Sequence, residues 1–196
     1  MIILGITGGS GCGKTTVSDY FRNNGIDVID TDKVARLIVE PGQPALSEIK
    51  SIFGDEYISA DGTLNRKKLG NYVFSHPDKI SVLNKITHKY ISRYVDSYIN
   101  SYNGEIIGID GAALIESGIN SKCDFVLSVL SDIKIRTERI KKRDNLTDDE
   151  AKCRISAQKD DNFYIENSDF LVYNNNDIIY LHNQLDNILN KLRSKL

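Results

Sequence analysis

The sequence predicts an α/β fold: a parallel sheet covered by helices on both faces, carrying one helical insertion and one charged helical hairpin. Three observations predict it. Short, continuously apolar segments alternate with amphipathic stretches, the pattern of strands buried on both faces by crossover helices. The first apolar segment runs straight into a glycine-rich turn that opens a helix. A long middle stretch carries helical spacing and no strong strand signal.

The elements follow in order. Ile2-Ile3-Leu4-Gly5-Ile6 reads as a buried strand. Lys14 to Arg22 reads as a helix, with Val17 and Tyr20-Phe21 on one face and Gly25 placed to end it. Val28-Ile29 is a second strand, closing in Asp30-Thr31-Asp32. Residues 33–103 read as helices punctuated by Pro41-Gly42, Gly54, Asp61-Gly62 and His76-Pro77. This divides the chain into an α/β core of residues 1–32 and 104–196 and an inserted helical domain of residues 33–103. Within the core come Ile106-Ile107-Gly108-Ile109, closed by Asp110, then Phe125 to Leu130, then Phe170-Leu171-Val172. The charged segment 132–161 lies between the last two. The chain closes on an amphipathic helix whose stripe, from Ile178 through Leu181, Leu185, Ile188 and Leu189 to Leu192, faces the core.

Composition narrows the function. Among 196 residues, 25 Lys+Arg stand against 27 Asp+Glu, a net charge of −2. Sequence-independent nucleic-acid binding needs a basic excess and is disfavoured. The three cysteines (Cys12, Cys123, Cys153) are odd in number and form no C-x-x-C pair, so neither a disulfide framework nor a zinc ribbon is expected. The N-terminus lacks a basic region before its short apolar run, and no segment approaches a membrane span. The expectation is a cytoplasmic protein without membrane or nucleic-acid partners, a monomer or a small homo-oligomer.

Gly8-Gly9-Ser10-Gly11-Cys12-Gly13-Lys14-Thr15 fits G-x-x-x-x-G-K-[ST], the P-loop pattern. Glycines let the backbone turn its N–H groups inward, and the helix opening at Lys14 adds its positive end. Lys14 can reach the β- and γ-phosphates, and the Thr15 hydroxyl can ligate Mg²⁺. A dinucleotide fingerprint fails, because G-x-G-x-x-G is absent here. Cys12 lies inside the loop; a thiol near a helix N-terminus can have a lowered pKa, which makes it a candidate for oxidation.

Three classes of P-loop protein compete. A switch GTPase should carry Asn/Thr-Lys-x-Asp, but Asn84-Lys85-Ile86-Thr87 and Asn190-Lys191-Leu192-Arg193 both lack the aspartate. A transporter ATPase should carry Ser-Gly-Gly-Gln, which is absent. A small-molecule kinase is left. Carboxylates at the C-terminal ends of parallel strands project into the ligand crevice, and Asp30 and Asp32 at i and i+2 of an extended segment would point the same way. Asp32 is then either a base for the acceptor hydroxyl or the N-cap of the next helix. Asp110 is either a Mg²⁺-shell carboxylate or a strand-end turn residue. Arg136, Arg139 and Arg143 at i, i+3 and i+7 share a helix face, and Thr147 to Glu150 forms a capping box. That hairpin is either a lid closing arginines onto phosphates or a solvated surface.

Taken together, these residues resemble the dephospho-CoA kinase family. The resemblance spans most of the chain: Thr7 to Thr16, Val28 to Arg36, Val39-Glu40-Pro41-Gly42, Asp61 to Arg66 and Ile86-Thr87-His88. It continues through Glu138-Arg139, Arg143-Asp144, Arg154 to Gln158, Ser168-Asp169 and Asn174-Asn175. It implies a P-loop NTPase core with a five-stranded parallel sheet, a helical acceptor domain and a lid at 132–161. It implies transfer of the ATP γ-phosphoryl, with Mg²⁺, to the ribose 3′-hydroxyl of dephospho-CoA, giving CoA. On this likeness Asp32 matches the base, and Lys14, Arg139 and Arg143 complete the catalytic set. Gly9, Gly11, Cys12, Gly13, Lys14, Thr15, Thr16 and Asn175 match the nucleotide side; Thr7, Arg36, His88 and Glu116 match the acceptor side. Three positions depart from the pattern. Lys89 follows His88 where the family often has Pro, Ala112-Ala113-Leu114-Ile115-Glu116 replaces Pro-Leu-Leu-x-Glu, and Asn176 replaces a glycine. A nucleoside or nucleotide kinase, or a non-catalytic ATP-binding regulator, are the alternatives.

Overall fold

The computed structural model describes residues 1–196. The chain runs β1 (Ile2–Thr7), α1 (Lys14–Asn23), β2 (Asp27–Asp30), α2 (Thr31–Leu37), α3 (Pro44–Phe53), α4 (Arg66–Phe74) and α5 (Pro77–Ser101). It continues through β3 (Ile106–Asp110), β4 (Phe125–Leu130), α6 (Ile133–Asp144), α7 (Asp148–Ser156), α8 (Asp161–Glu166), β5 (Phe170–Tyr173) and α9 (Ile178–Arg193). Short 3₁₀ turns stand at Asp55–Tyr57 and Ile119–Lys122.

The five strands form one sheet in the order β2-β3-β1-β4-β5, every pair parallel. This is the architecture the alternating apolar runs predicted. β1 lies in the middle, so its side chains are covered from both faces: Leu4 and Ile6 are fully buried. The stripe of α9 packs inward from Leu181 onward, Leu181, Leu185 and Leu189 joining Val17 and Phe21 of α1 and Val172 of β5 in one core; Ile178, in the first turn of the helix, is instead 48% exposed. Each such side chain contributes roughly 1.5–3 kcal/mol through its burial.

Register decides what meets at the C-terminal edge of the sheet. Asp30 of β2 stands opposite Asp110 of β3, which stands opposite Ile6 of β1; Thr7 stands opposite Ser128. Two carboxylates thus sit side by side at the ends of adjacent strands, where open parallel sheets bind ligands.

The chain divides into two compact units, Met1–Asp30 with Asn103–Leu196, and Thr31–Tyr102. In the second unit α2, α3 and α4 each pack on α5. α5 runs unbroken for 25 residues, because Lys89 rather than a proline keeps the helical N–H in place. Lys89 also pairs with Glu48 of α3. The middle stretch is helical except for its turns and one antiparallel bridge, Ile58 to Leu64, folded around the Asp61-Gly62 turn.

One local expectation is overturned. Asp30-Thr31-Asp32 is not an extended segment: Thr31 already begins α2, leaving Asp30 at the strand end and Asp32 in the first helical turn. The period-2 alternation that would align the two side chains holds only along a strand, so it does not carry over to Asp32. Nor is Asp32 an N-cap, because it lies inside the helix; a carboxylate there is favoured by the helix dipole.

Candidate active site

The loop 8–13 joins the end of β1 to α1. Gly13 caps α1 in the left-handed region at φ 95°, which lets the chain turn sharply from loop to helix. No side chain caps α1 and its first turn holds no acidic residue, so the helix start presents its N–H groups and positive end to an anion. Lys14, the first helical residue, folds back over the loop and donates to the Gly8 carbonyl at 2.7 Å. Thr15 and Thr16 are exposed on the first turn.

Three segments grip this loop. From α6, Arg136 Nε donates to the Ser10 carbonyl at 3.0 Å, and Arg139 Nη1 donates to the Gly11 carbonyl at 3.3 Å. From the segment after β5, the buried Asn174 donates through Nδ2 to the Cys12 carbonyl at 2.8 Å, and its own carbonyl accepts from Arg139 Nη2 at 3.1 Å. From the segment after α7, Gln158 Oε1 accepts the Ser10 N–H at 2.7 Å. A Cβ on Gly13 would overlap Asn174 Nδ2, so this glycine supplies room as well as a turn.

The three arginines of α6 do not act as one face. Arg136 and Arg139 are drawn to the loop, whereas Arg143 forms a two-pronged ion pair with the adjacent Asp144, both contacts at 2.8 Å. Asp144 also holds Arg154 of α7. The capping box at Thr147 and Glu150 is formed as predicted. Lys141 and Lys152 pair with Asp148 at 3.3 Å and 2.6 Å. These pairs lower the Asp144 and Asp148 carboxyls below the usual range, the first mainly through Arg143 and the second mainly through Lys152.

Other predicted residues fall in place or move. Asp110 accepts a hydrogen bond from Ser18 Oγ at 2.7 Å, so the strand-end carboxylate is oriented by α1. Thr7, the last residue of β1, is fully buried, and its Oγ1 has no hydrogen-bond partner. Asn175 is engaged at the start of α6, accepting from the Asp132 N–H at 2.8 Å and donating to Asp132 Oδ1 at 2.9 Å; its neighbour Asn174 is the one that reaches the loop. Cys12 is fully buried, and burial pushes its thiol up by more than Arg136 and Lys14 pull it down. Desolvation thus acts against the lowering that a place near a helix N-terminus can bring.

Glu116 lines a cavity of about 430 Å³ with Ala112, Ala113, Gln158, Lys159 and Tyr164. The Tyr164 phenol is pushed up to about 12, by burial first and by Glu116 second. The second unit carries Asp32 and Arg36, both exposed on α2, and His88, half-buried on α5. The Arg36 carbonyl accepts from Arg66 Nη2 at 3.1 Å.

Sequence reasoning missed the site roles of Asn174, Asp161 and Ser18. Their contacts span 162, 25 and 92 positions of chain, and no local spacing signals such meetings.

The site can hold a polyphosphate against backbone N–H groups and cations, with carboxylates at the neighbouring strand ends. Comparison with known proteins agrees with that chemistry. The family model described as dephospho-CoA kinase matches residues 2–179. A dephospho-CoA kinase from Lactobacillus acidophilus is 36% identical over 98% of this chain and 98% of its own. One from Bacillus cereus is 38% identical over 97% of this chain and 96% of its own. The solved dephospho-CoA kinase from Campylobacter jejuni shares the fold, with a TM-score of 0.73 at 22% identity over 99% of this chain and 98% of that one.

Proposed function

This chain belongs to the dephospho-CoA kinase family, and we propose on that premise that it transfers the γ-phosphoryl group of ATP to the ribose 3′-hydroxyl of dephospho-CoA, giving coenzyme A and ADP. The observation that carries the reading is the phosphate loop, closed by Lys14 at the start of α1, in a chain that matches the family over nearly its whole length.

The proposed mechanism is positioning plus charge neutralisation, the general strategy of phosphoryl transfer. The N–H groups of Gly9, Gly11, Cys12, Gly13 and Lys14, with Thr15 and Thr16, would take the phosphates. Lys14 would exchange its bond to the Gly8 carbonyl for the β- and γ-phosphate oxygens. Arg139 and Arg143 would neutralise charge as segment 132–161 closes as a lid, and Asn175 would stand on the adenine side. Asp32 would orient the 3′-hydroxyl and accept its proton, while its oxygen forms the new bond to phosphorus and the bond to the ADP oxygen breaks. Arg36, His88, Glu116 and Thr7 belong to the acceptor side in this reading. The unit 31–102 is the proposed acceptor domain.

Mg²⁺ fits the residues present. No cluster of three or more His, Cys, Asp or Glu forms a cage for a metal. Mg²⁺ is ordinarily held by one or two protein oxygens, substrate phosphates and water, and Thr15 and Asp110 supply hard oxygen donors. Bound there, the ion would neutralise phosphate charge. No helix is long and apolar enough to cross a membrane; the location proposed with this activity is the cytoplasm.

The test is ADP formation from ATP and Mg²⁺ with and without dephospho-CoA, and the mass of the product. Acceptor-dependent ADP and a product one phosphate heavier are expected. Turnover only with a nucleoside or nucleotide would replace the acceptor assignment.

A further inference from the structure

Arg136 is only 2% exposed, yet its guanidinium is incompletely satisfied. Nε donates to the Ser10 carbonyl at 3.0 Å and Nη1 to Asp161 Oδ1 at 3.2 Å. Nη2 is buried and has no hydrogen-bond partner. A buried donor without an acceptor is destabilising, and a charged one more so. The pairing carboxylate does not share the burial: the Asp161 side chain is 45% exposed.

Nη2 lies against Gly9. A Cβ built on Gly9 would overlap it and stand 3.0 Å from Cζ. Gly9 is not among the glycines with positive φ, so its backbone tolerates a side chain. What this glycine provides is room for the guanidinium. Ser10, the next residue, gives its N–H to Gln158 Oε1. Two donors at the phosphate loop, the Ser10 N–H and the Arg136 guanidinium, are thus each met by a side-chain oxygen, from Gln158 just before α8 and from Asp161 at its start. An amide oxygen and a carboxylate oxygen are the groups a phosphate would replace, and a guanidinium fork matches phosphate geometry.

We propose that Arg136 is a further catalytic residue of the phosphoryl transfer: its Nη2, in the room left by Gly9, donates to the terminal phosphate of the bound nucleotide, while Gln158 and Asp161 act as oxygen surrogates that yield to that phosphate. In the complex the Arg136 guanidinium gains an acceptor. The inference rests on the reading of loop 8–13 as a nucleotide phosphate site.

The experiment measures ATP and ADP binding by calorimetry without acceptor, and then kcat and KM with dephospho-CoA. Arg136→Gln is expected to weaken ATP about tenfold while ADP changes less than about threefold, and to lower kcat about 10²-fold, the cost of one lost transition-state donor. The KM for dephospho-CoA should stay within about twofold. Arg136→Lys should recover part of the ATP preference. Gly9→Ala should weaken ATP in the natural chain and cost little more once Arg136 is Gln, because the overlap is then gone. Equal loss of ATP and ADP binding would overturn the proposal and leave Arg136 a brace of the loop, as would no change in either. If Arg136→Gln does not fold, Asp161→Asn decides: freeing the arginine should tighten ATP severalfold, and unchanged or weaker binding would overturn the proposal. Nucleotide binding intact in the unsubstituted protein, but no ADP release with dephospho-CoA, would instead count against the acceptor reading alone.

Discussion

The two ends of α6 carry the same residue type and use it in opposite ways. At the loop end, Arg136 and Arg139 donate to backbone carbonyls of Ser10 and Gly11. At the hairpin end, Arg143 is 59% exposed and meets only the carboxylate beside it. Backbone acceptors belong to a loop that is itself tied to the sheet, so bonds to them are fixed by the fold. Exposed ion pairs contribute roughly 0–1 kcal/mol and are screened by salt. One helix therefore combines a base held by backbone carbonyls with a tip held by exposed ion pairs, a contrast the proposed lid role would use.

The comparison can be broken or sharpened experimentally. The largest effect is expected at the loop. Lys14→Ala should lower kcat/KM about 10³-fold or more, since the phosphates lose their nearest cation; near-normal ADP release would remove the loop from the chemistry. Next comes Asp32→Asn, expected to lower kcat about 10²–10⁴-fold with ATP affinity unchanged. A loss confined to ATP affinity would take Asp32 off the acceptor side.

The arginines give the direct contrast. Arg139→Ala removes the guanidinium donor from the Gly11 carbonyl and from the Asn174 carbonyl, which keeps Ser131 Oγ, and should cost about 1–3 kcal/mol of stability. Arg143→Ala should change stability by less than about 1 kcal/mol yet lower kcat. Equal losses in thermal unfolding would show that the two ends of α6 are held alike.

Acid should separate the same regions. Asp144 is lowered by Arg143, Asp148 by Lys152 and then Lys141, and Glu150 by the Thr147 N–H and hydroxyl. Their folded pKa values lie below the unfolded ones. The stabilisation they provide is therefore present above the unfolded values, about pH 4, and lost as pH falls through the folded ones. Hydrogen exchange across 132–161 should rise before exchange in β1 and β4 does; simultaneous loss would contradict a separately held hairpin. The smallest effect concerns thiols. At neutral pH an alkylating reagent should label the exposed Cys153 well before the buried Cys12, whose thiol is held protonated by burial. Faster labelling of Cys12 would mean that the loop opens to solvent.

Much of the fold was legible because its signals are local. The strand-loop-helix of residues 2–23, the continuous apolar runs of β3 and β4, and the stripe of α9 each follow from patterns within a few residues. The Thr147–Glu150 capping box is equally local. The site was legible where one segment carries it, as in Gly8 to Thr15. It was less so where a short motif could take two conformations. Asp30-Thr31-Asp32 reads as strand throughout, yet the helix begins at Thr31, two residues earlier than the pattern suggests.

The sequence by itself determined that this chain folds as a parallel α/β sheet with a phosphate loop after its first strand, because periodicity and glycine spacing are properties of neighbouring residues. Only the tertiary structure decided the rest. It set which arginine of α6 is buried against the loop, that Asn174 and not Asn175 touches it, that Asp110 is aligned with Asp30, and that Cys12 is buried. Those outcomes depend on strand order and burial, which bring together groups far apart in the chain. Desolvation and the supply of fixed acceptors, set by the surroundings, then determine what each charge does.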